Sequence, residues 1–162
     1  MFDSTYLLLK FFDDVELVEG RKKLQKMIHL LSSAGAAFSF KYQYHHYGPY
    51  SAQLQDEINF MVRQSFLEEF KENETYVYKI TSLGKEFKIS LERTCNGELN
   101  HELLMSLNEH SSQFLEMVST YAFLLDSGYD SHSAIQKAIE LKQHLSGYAE
   151  DARNYYNNTL VG

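Results

Sequence analysis

The sequence predicts a mainly α-helical domain with a small β-hairpin, an α+β fold. Three observations lead to this fold class. Apolar residues recur at helical spacing over most of the 162-residue chain. Residues 66–71 and 75–80 are two short β-rich runs, and a turn-forming stretch, residues 72–74, separates them. An apolar fraction of 44% suffices for a core, and one Pro and one Cys exclude proline-rich and disulfide-based architectures.

Two helices in the first half of the chain are predicted from residues that cap helix N-termini. The first helix runs from about residue 4 to residue 14, with Asp3 or Ser4 as its N-cap. The third helix begins after Ser51 and ends near Gln64. Its buried stripe is predicted to consist of Leu54, Ile58 and Met61.

A second helix is predicted between them, from about residue 21 to residue 33. Its apolar stripe repeats at i, i+3, i+4 and i+7 and consists of Leu24, Met27, Ile28 and Leu31. The other faces of this helix are predicted to carry Arg21, Lys22, Lys23, Lys26 and His29.

An aromatic segment follows the second helix. Alternating aromatic and polar residues over 38–45 are typical of a half-buried strand. The stretch Tyr47-Gly48-Pro49-Tyr50 then reads as a turn, because Gly frees the backbone and Pro disfavours helical geometry before it.

The remainder of the chain is predicted to be helical. Thr81 or Ser82 caps a helix that reaches about Thr94, and Gly84 in its first turn permits a close approach of another backbone segment. Residues 99–126 form a helix interrupted near Ser111, residues 131–145 form another, and a short helix begins after residue 147.

Helices followed by a two-stranded wing are arranged as in a winged helix-turn-helix. We therefore predict a winged-helix-like domain in residues 1–95 and a C-terminal helical extension in residues 96–162 that packs on this domain or forms a dimer. One feature departs from the usual plan. Roughly seventeen residues separate the second and third helices, where an ordinary helix-turn-helix has three or four.

Several stretches of the chain resemble a known family. GRKKLQKMIHLL (residues 20–31), FSFKYQYHHYGPYSAQLQDEINFMVRQSFLEE (38–69), LEMVSTYAFLLDSG (115–128) and AIQKAIELKQHLS (134–146) together resemble the YwgA family of small bacterial and archaeal proteins. The resemblance implies a winged-helix domain and no catalytic residue. A more distant similarity to SocA-type antitoxin (Panacea) domains, confined to KLQKMI and the Gly-Pro turn, implies function through protein contacts.

The charge distribution suggests a nucleic-acid interface. The net charge is −7, yet residues 20–64 carry six Lys or Arg against two Asp or Glu, a net +4. Phosphate contacts are predicted for Arg21, Lys22, Lys23, Lys26, Lys41 and Arg63, and base contacts for Gln53, Gln55 and Asn59 if the third helix enters a major groove. The alternative is that the basic residues form only a solvated helix face. Asp56 and Glu57 on the same helix would also be repelled by DNA phosphates.

A second candidate site is the aromatic turn, for which three interpretations remain. Its residues are Tyr44, His45, His46, Tyr47 and Tyr50. They could stack on bases, form a protein interface, where Tyr is favoured, or pack around the Gly-Pro turn. The alternation favours packing because it already places one face inward.

No catalytic signature accompanies these sites. GxGxxG, GxxxxGK[ST], GxSxG and HExxH strings are all absent. Cys95, His101 and His110 form only a weak metal-ligand pattern, so we expect neither a metal nor another cofactor. The sequence shows no signal peptide and no membrane span.

We therefore expect a non-enzymatic, cytoplasmic regulator that binds double-stranded DNA as a homodimer. The alternative is a protein-interaction module, such as an antitoxin-like or adaptor component, that does not bind DNA.

Overall fold

The computed structural model describes residues 2–161. Its α-helices are α1 (Asp3–Val15), α2 (Arg21–Ser33), α3 (Ala52–Arg63), α4 (Ser82–Leu91), α5 (His101–Glu109), α6 (Ser112–Asp126), α7 (Ser131–Leu141) and α8 (Ala149–Tyr155). Its strands are β1 (Val18–Glu19), β2 (Gln43–His45), β3 (Gly48–Tyr50), β4 (Leu67–Glu72) and β5 (Thr75–Ile80). A 3-10 helix spans Gln143–Tyr148 and a π-helical turn spans Tyr156–Leu160. The mainly α-helical fold with a small β component is confirmed.

The predicted β-hairpin is present as β4 and β5, which pair antiparallel with Leu67 opposite Ile80. Asn73 and Glu74 at its tip both have positive φ angles, 50° and 66°. Two such residues form the mirror-image turn whose twist matches that of the flanking strands. The sequence analysis did not predict β1, which pairs with β5 and makes this a three-stranded sheet in the order β1-β5-β4. Strand β1 has only two residues, too few to show the alternation of apolar and polar residues by which a strand is predicted from sequence.

The aromatic segment differs from its prediction. The predicted strand over residues 38–45 is reduced to β2, and residues 36–42 have no strand partner. Gly48 and Pro49, predicted as a turn, belong instead to β3, which pairs with β2 and places the turn at His46 and Tyr47. We call this β2–β3 unit the aromatic hairpin. Phe38 and Phe40 nevertheless point inward, as the alternation predicts. Their rings are stacked with centroids 5.9 Å apart and pack on the core.

Most predicted helix caps are confirmed. The hydroxyl of Ser51 accepts a hydrogen bond from the backbone N–H of Leu54, and that of Thr81 accepts one from Gly84. The predicted caps of α1 are wrong, because α1 begins at Asp3 with Phe2 in the cap position and no side-chain cap. The hydroxyl of Ser4 is engaged elsewhere, 2.9 Å from that of Ser39.

The C-terminal helices pack directly on the first half of the chain. The predicted interruption near Ser111 is confirmed, since α5 ends at Glu109 and the Ser111 hydroxyl caps α6. Helix α6 lies along α2 and β3, and one hydrophobic core contains residues of α1, α2 and α6. The element order helix, strand, helix, helix, hairpin is compatible with a winged helix that carries the aromatic hairpin as an insertion. The division at residue 95 and the homodimer stay predictions.

Gly84 is predicted to be irreplaceable, in agreement with the close approach expected from the sequence. A Cβ atom there would overlap the carbonyl oxygen of Phe66 and lie 2.9 Å from Cγ1 of Ile80. We expect Gly84→Ala to lower the free energy of unfolding by about 2 kcal/mol or more, as overpacking does. Gly147→Ala is the matched control, because no atom lies within 4 Å of its added Cβ. Urea unfolding of both variants measures the difference, and equal stability would contradict the predicted clash.

Candidate functional site

A pocket of about 330 Å³ lies between α2 and the aromatic hairpin. We call it the α2–hairpin pocket. It brings together Arg21, Lys22, Lys26 and Gln55 of the predicted DNA-binding set. It also contains His45, His46, Tyr47 and Tyr50 of the predicted interaction turn. Two candidate sites that the sequence analysis treated separately therefore share one cavity.

The side chain of Gln25 fixes one wall of this pocket. Its amide donates a hydrogen bond to the backbone oxygen of Ser51 at 2.9 Å and accepts one from the backbone N–H of Ser51, also at 2.9 Å. Both residues are buried. This paired contact holds the start of α3 against the middle of α2 and thereby closes the end of the aromatic hairpin.

The structure corrects the position of Lys26. The sequence analysis placed it on an outward face of α2, but its side chain is only 1% exposed. The centre of α2 is covered by α6 on one side and by the aromatic hairpin on another, so the apolar stripe is not its only buried face. Burial lowers the pKa of Lys26 from its usual 10.5 to about 8, although the Glu116 carboxylate favours the charged form.

His29 was also predicted to lie outside the apolar stripe and is buried as well, with 4% exposure. Its Nδ1 lies 2.7 Å from the hydroxyl of Ser119 on α6. Burial, together with the nearby charge of Lys26, lowers the pKa of His29 to about 4. It is a neutral packing residue at pH 7.

The other basic residues of α2 have protein partners. Arg21 donates to the Tyr78 hydroxyl at 3.1 Å and to the Glu69 carboxylate at 3.3 Å, and these contacts raise its pKa. The ammonium group of Lys23 donates to the backbone oxygen of Asn108 at 2.6 Å, and partial burial lowers the pKa of Lys23. The charged groups of Arg21 and Lys23 therefore already form hydrogen bonds with other residues of the protein.

Lys22 remains the exposed cation at the mouth of the pocket. Its Nζ lies 3.3 Å from the ring centroid of Tyr47, a cation–π contact. Tyr47 is itself 51% exposed. The two side chains therefore form the outer edge of the pocket, within reach of an incoming molecule.

The residues predicted to read bases lie on or near the exposed face of α3. Gln53 accepts a hydrogen bond from the backbone N–H of Lys41 at 2.8 Å, and Gln55 donates one to Asn59 at 3.0 Å. Arg63 is exposed at the end of the helix. Gln55 lines the α2–hairpin pocket, whereas Lys41, Gln53, Asn59 and Arg63 do not.

The sequence analysis missed the residues that anchor the aromatic hairpin. Lys142 and Glu116 form an ion pair at 2.9 Å, with side chains 3% and 7% exposed. The Lys142 ammonium also donates to the backbone oxygen of His46 at 2.6 Å. A signal for this pair was present, because Glu116 is the lone charge in a stretch of α6 that is apolar around most of its circumference.

Gly48 lets the hairpin approach α6 closely. It is buried with a φ angle of +95°, a region that side chains rarely adopt. A Cβ at this position would lie 3.4 Å from the hydroxyl of Thr120 and 3.5 Å from Cγ of Glu116. The Tyr44 hydroxyl is buried beside this contact without a hydrogen-bond partner in the described chain, and Lys142 lies 5.4 Å from the Tyr44 ring centroid.

Neither a metal centre nor a membrane-spanning helix is found among the described residues. Within residues 2–161, no three His, Cys, Asp or Glu side chains form a group that could hold a metal ion. Cys95 is buried, and His101 is 3.6 Å from Asp14 instead. None of the helices in this range combines the length and the apolar character needed to cross a bilayer.

Removing the buried charge of Lys26 is predicted to stabilise the protein in a pH-dependent way. The native state loses this proton near pH 8 and the unfolded state near pH 10.5, so the unfolded state binds more protons in between. The free energy of unfolding therefore rises with pH across that window, by about 3 kcal/mol. We expect Lys26→Met to be more stable than the native protein at pH 7, with a difference that shrinks towards pH 10. Denaturant unfolding at several pH values measures it, and a constant difference would exclude a desolvated ammonium.

Breaking the Lys142–Glu116 pair is predicted to be costly. Glu116→Gln leaves the buried Lys142 ammonium without its counter-charge, which costs about 3–5 kcal/mol in comparable buried pairs. The double variant Glu116→Gln/Lys142→Met removes both charges and should recover most of this loss. A double-mutant cycle in urea measures the coupling, and additive effects would show that the two side chains do not interact.

The chain was also compared with known proteins. No family model matches it. Over 139 residues it is 34% identical to the protein named "Uncharacterized protein YwgA" of Bacillus subtilis (strain 168), an alignment that covers 83% of this chain and 81% of that protein. Since this identity extends over most of both proteins, the chain belongs to the YwgA family.

Proposed function

We propose that this protein is a non-enzymatic regulatory module that acts by binding another protein through the aromatic hairpin. The observation that carries the proposal is the exposure of His45, His46 and Tyr47 at the hairpin turn. Tyr47 keeps 51% of its surface exposed although most aromatic residues of this chain are buried or half-buried. Tyr is favoured in protein interfaces, because its ring supplies apolar contact and its hydroxyl a hydrogen bond.

The hairpin is also held in a fixed position, which favours recognition. Its turn is tied to Lys142 by the hydrogen bond from the ammonium group to the His46 oxygen, and Gly48 packs against α6. A surface that is ordered before binding loses little conformational entropy when a partner docks.

The charges near the predicted DNA-contacting elements support a protein partner over DNA. Asp56 is exposed on α3, and the β4–β5 hairpin, which would be the wing, exposes Glu68, Glu72 and Glu74 against Lys71 and Lys79. An interface for DNA must neutralise phosphates, and acidic side chains at the wing oppose this. Lys26, moreover, is buried, so the predicted phosphate-contacting set has lost a central member.

DNA binding remains the second candidate because of the connectivity. A short strand between α1 and α2 pairs with the second strand of the hairpin that follows α3. A winged helix-turn-helix of the DNA-binding type would have this connectivity. Lys22, Lys41 and Arg63 are exposed and could contact phosphates. For either candidate function, we also propose that the protein is a homodimer and lies in the cytoplasm.

The two candidates are separated first by DNA binding measured as fluorescence anisotropy. Random and genomic fragments are titrated while the salt concentration rises from about 50 to 200 mM. For a protein-binding module we expect no saturable binding even at the lowest salt. Salt-dependent binding that is lost in Lys22→Gln/Arg63→Gln would overturn the proposal in favour of DNA.

The partner is then sought by site-specific photo-cross-linking. A photoreactive residue replaces Tyr47 or, as a control on another surface, Tyr129, which is 40% exposed in the connection between α6 and α7. We expect one partner to be cross-linked from position 47 and not from position 129. The purified partner should bind His45→Ala/Tyr47→Ala at least about tenfold more weakly than the native protein, and Tyr129→Ala equally well. Equal affinity for all three proteins would exclude the aromatic hairpin as the interface.

A further inference from the structure

The α2–hairpin pocket has basic groups at two depths. Lys22 is exposed at its mouth, and Lys26, one helical turn further along α2, is buried inside it. Residues four apart on a helix project in the same direction, and both side chains line this one cavity. Neither of them forms an ion pair within 4.0 Å in the described part of the chain.

Lys26 is poorly satisfied for a buried ammonium group. It has three hydrogens to donate, and its one hydrogen bond runs to the backbone oxygen of Lys22 at a long 3.4 Å. Glu116, the nearby carboxylate, is engaged by Lys142 at 2.9 Å. Buried charges are ordinarily paired and hydrogen-bonded, because desolvation without a partner is costly. One of the pocket's lining residues is therefore a buried lysine whose hydrogen-bond donors are under-used within the described residues.

The opposite wall of the pocket is flat and largely aromatic. The His45 and Tyr50 rings lie with centroids 4.9 Å apart and planes inclined by 32°, beside Pro49. A cavity of about 330 Å³ lies at the lower end of the range of small-molecule sites. Such a wall suits an apolar or planar group attached to a charged head.

We propose that the α2–hairpin pocket binds a small organic anion. Its phosphate or carboxylate group is held by Lys26 and Lys22, and its apolar part lies against Pro49 and Tyr50. This proposal goes beyond the proposed protein interaction and is tested without a protein partner, although His45, His46 and Tyr47 belong both to the pocket and to the proposed interface. The bound anion would nevertheless join α2 to the aromatic hairpin and so stabilise the hairpin in its observed position.

Binding is tested on the full chain at pH 7 by isothermal titration calorimetry, with sodium chloride added to keep ionic strength constant. The probes are phenyl phosphate, inorganic phosphate, benzoate and, as a neutral ring, benzyl alcohol. Phenyl phosphate against benzoate distinguishes a phosphate head from a carboxylate head. Phenyl phosphate should bind more tightly than inorganic phosphate, because only the former reaches the aromatic wall.

Three variants assign the binding to the pocket. Lys26→Met replaces the buried ammonium with a side chain of similar length, and Lys22→Gln removes the charge of an exposed residue whose ammonium group contacts the Tyr47 ring. Lys79→Gln is the matched control, because Lys79 is exposed on β5 and does not line the pocket. Circular dichroism establishes that each variant is folded.

We expect saturable 1:1 binding of phenyl phosphate or benzoate with a Kd below about 1 mM. Lys26→Met and Lys22→Gln should each weaken it by at least about tenfold, as loss of a charge-assisted hydrogen bond does. Lys79→Gln should leave it unchanged. The proposal is overturned if the folded native protein binds none of the anions up to about 10 mM. It is equally overturned if both pocket variants retain native affinity, or if benzyl alcohol binds as tightly as the anions.

Discussion

The buried contact of Lys142 with Glu116 and with the backbone of His46 is the interaction on which the position of the aromatic hairpin depends. It joins three parts of the chain, the end of α7, the middle of α6 and the turn of the aromatic hairpin. Two charges withdrawn from water are tolerable only when they meet each other and further hydrogen-bond partners. Here the ammonium group meets both a carboxylate and a carbonyl oxygen. The aromatic hairpin, whose two strands have three residues each, is thereby fixed beside α2, and the pocket lies between the two.

The same arrangement leaves the interior around α2 unbalanced in charge. Lys26 and Lys142 are both buried there, and the Glu116 carboxylate interacts electrostatically with both ammonium groups. Burial is the main reason why the pKa of Lys26 lies below that of an ordinary lysine. The positive charges of Lys22 and Lys142 lower it further, and the Glu116 carboxylate, which pairs with Lys142, opposes the shift. A fold selected for stability alone would place an apolar side chain at position 26. The buried ammonium group of Lys26 is the feature on which the proposed anion site rests.

The extent to which the sequence predicts this structure differs between the fold and the site. Helix α2 was predicted with its observed bounds, and the caps Ser51 and Thr81 and the β4–β5 hairpin were also predicted, because all of these are determined by neighbouring residues. The burial of Lys26 and His29 was not predicted. Periodicity reports one apolar stripe, whereas α6 and the aromatic hairpin cover further faces of α2. Strand β3 was read as a turn because its Gly-Pro pair is ordinarily a chain-reversal signal. Glu116, a lone charge in a largely apolar stretch of α6, indicates that a buried partner is needed, but Lys142 is too distant in sequence for a local pattern to identify it as that partner.

The distance along the chain between His46 and Lys142, 96 residues, also has a consequence for the order in which the protein folds. During synthesis from the N-terminus, α1, α2 and the β4–β5 hairpin are complete long before α7 is made. Contacts of such high sequence separation form late, since the entropy of closing the intervening loop must be lost first. We therefore expect the newly made chain to pass through a stage in which Glu116 has no counter-charge because Lys142 has not yet been added. We also expect the aromatic hairpin to take its final position late in folding.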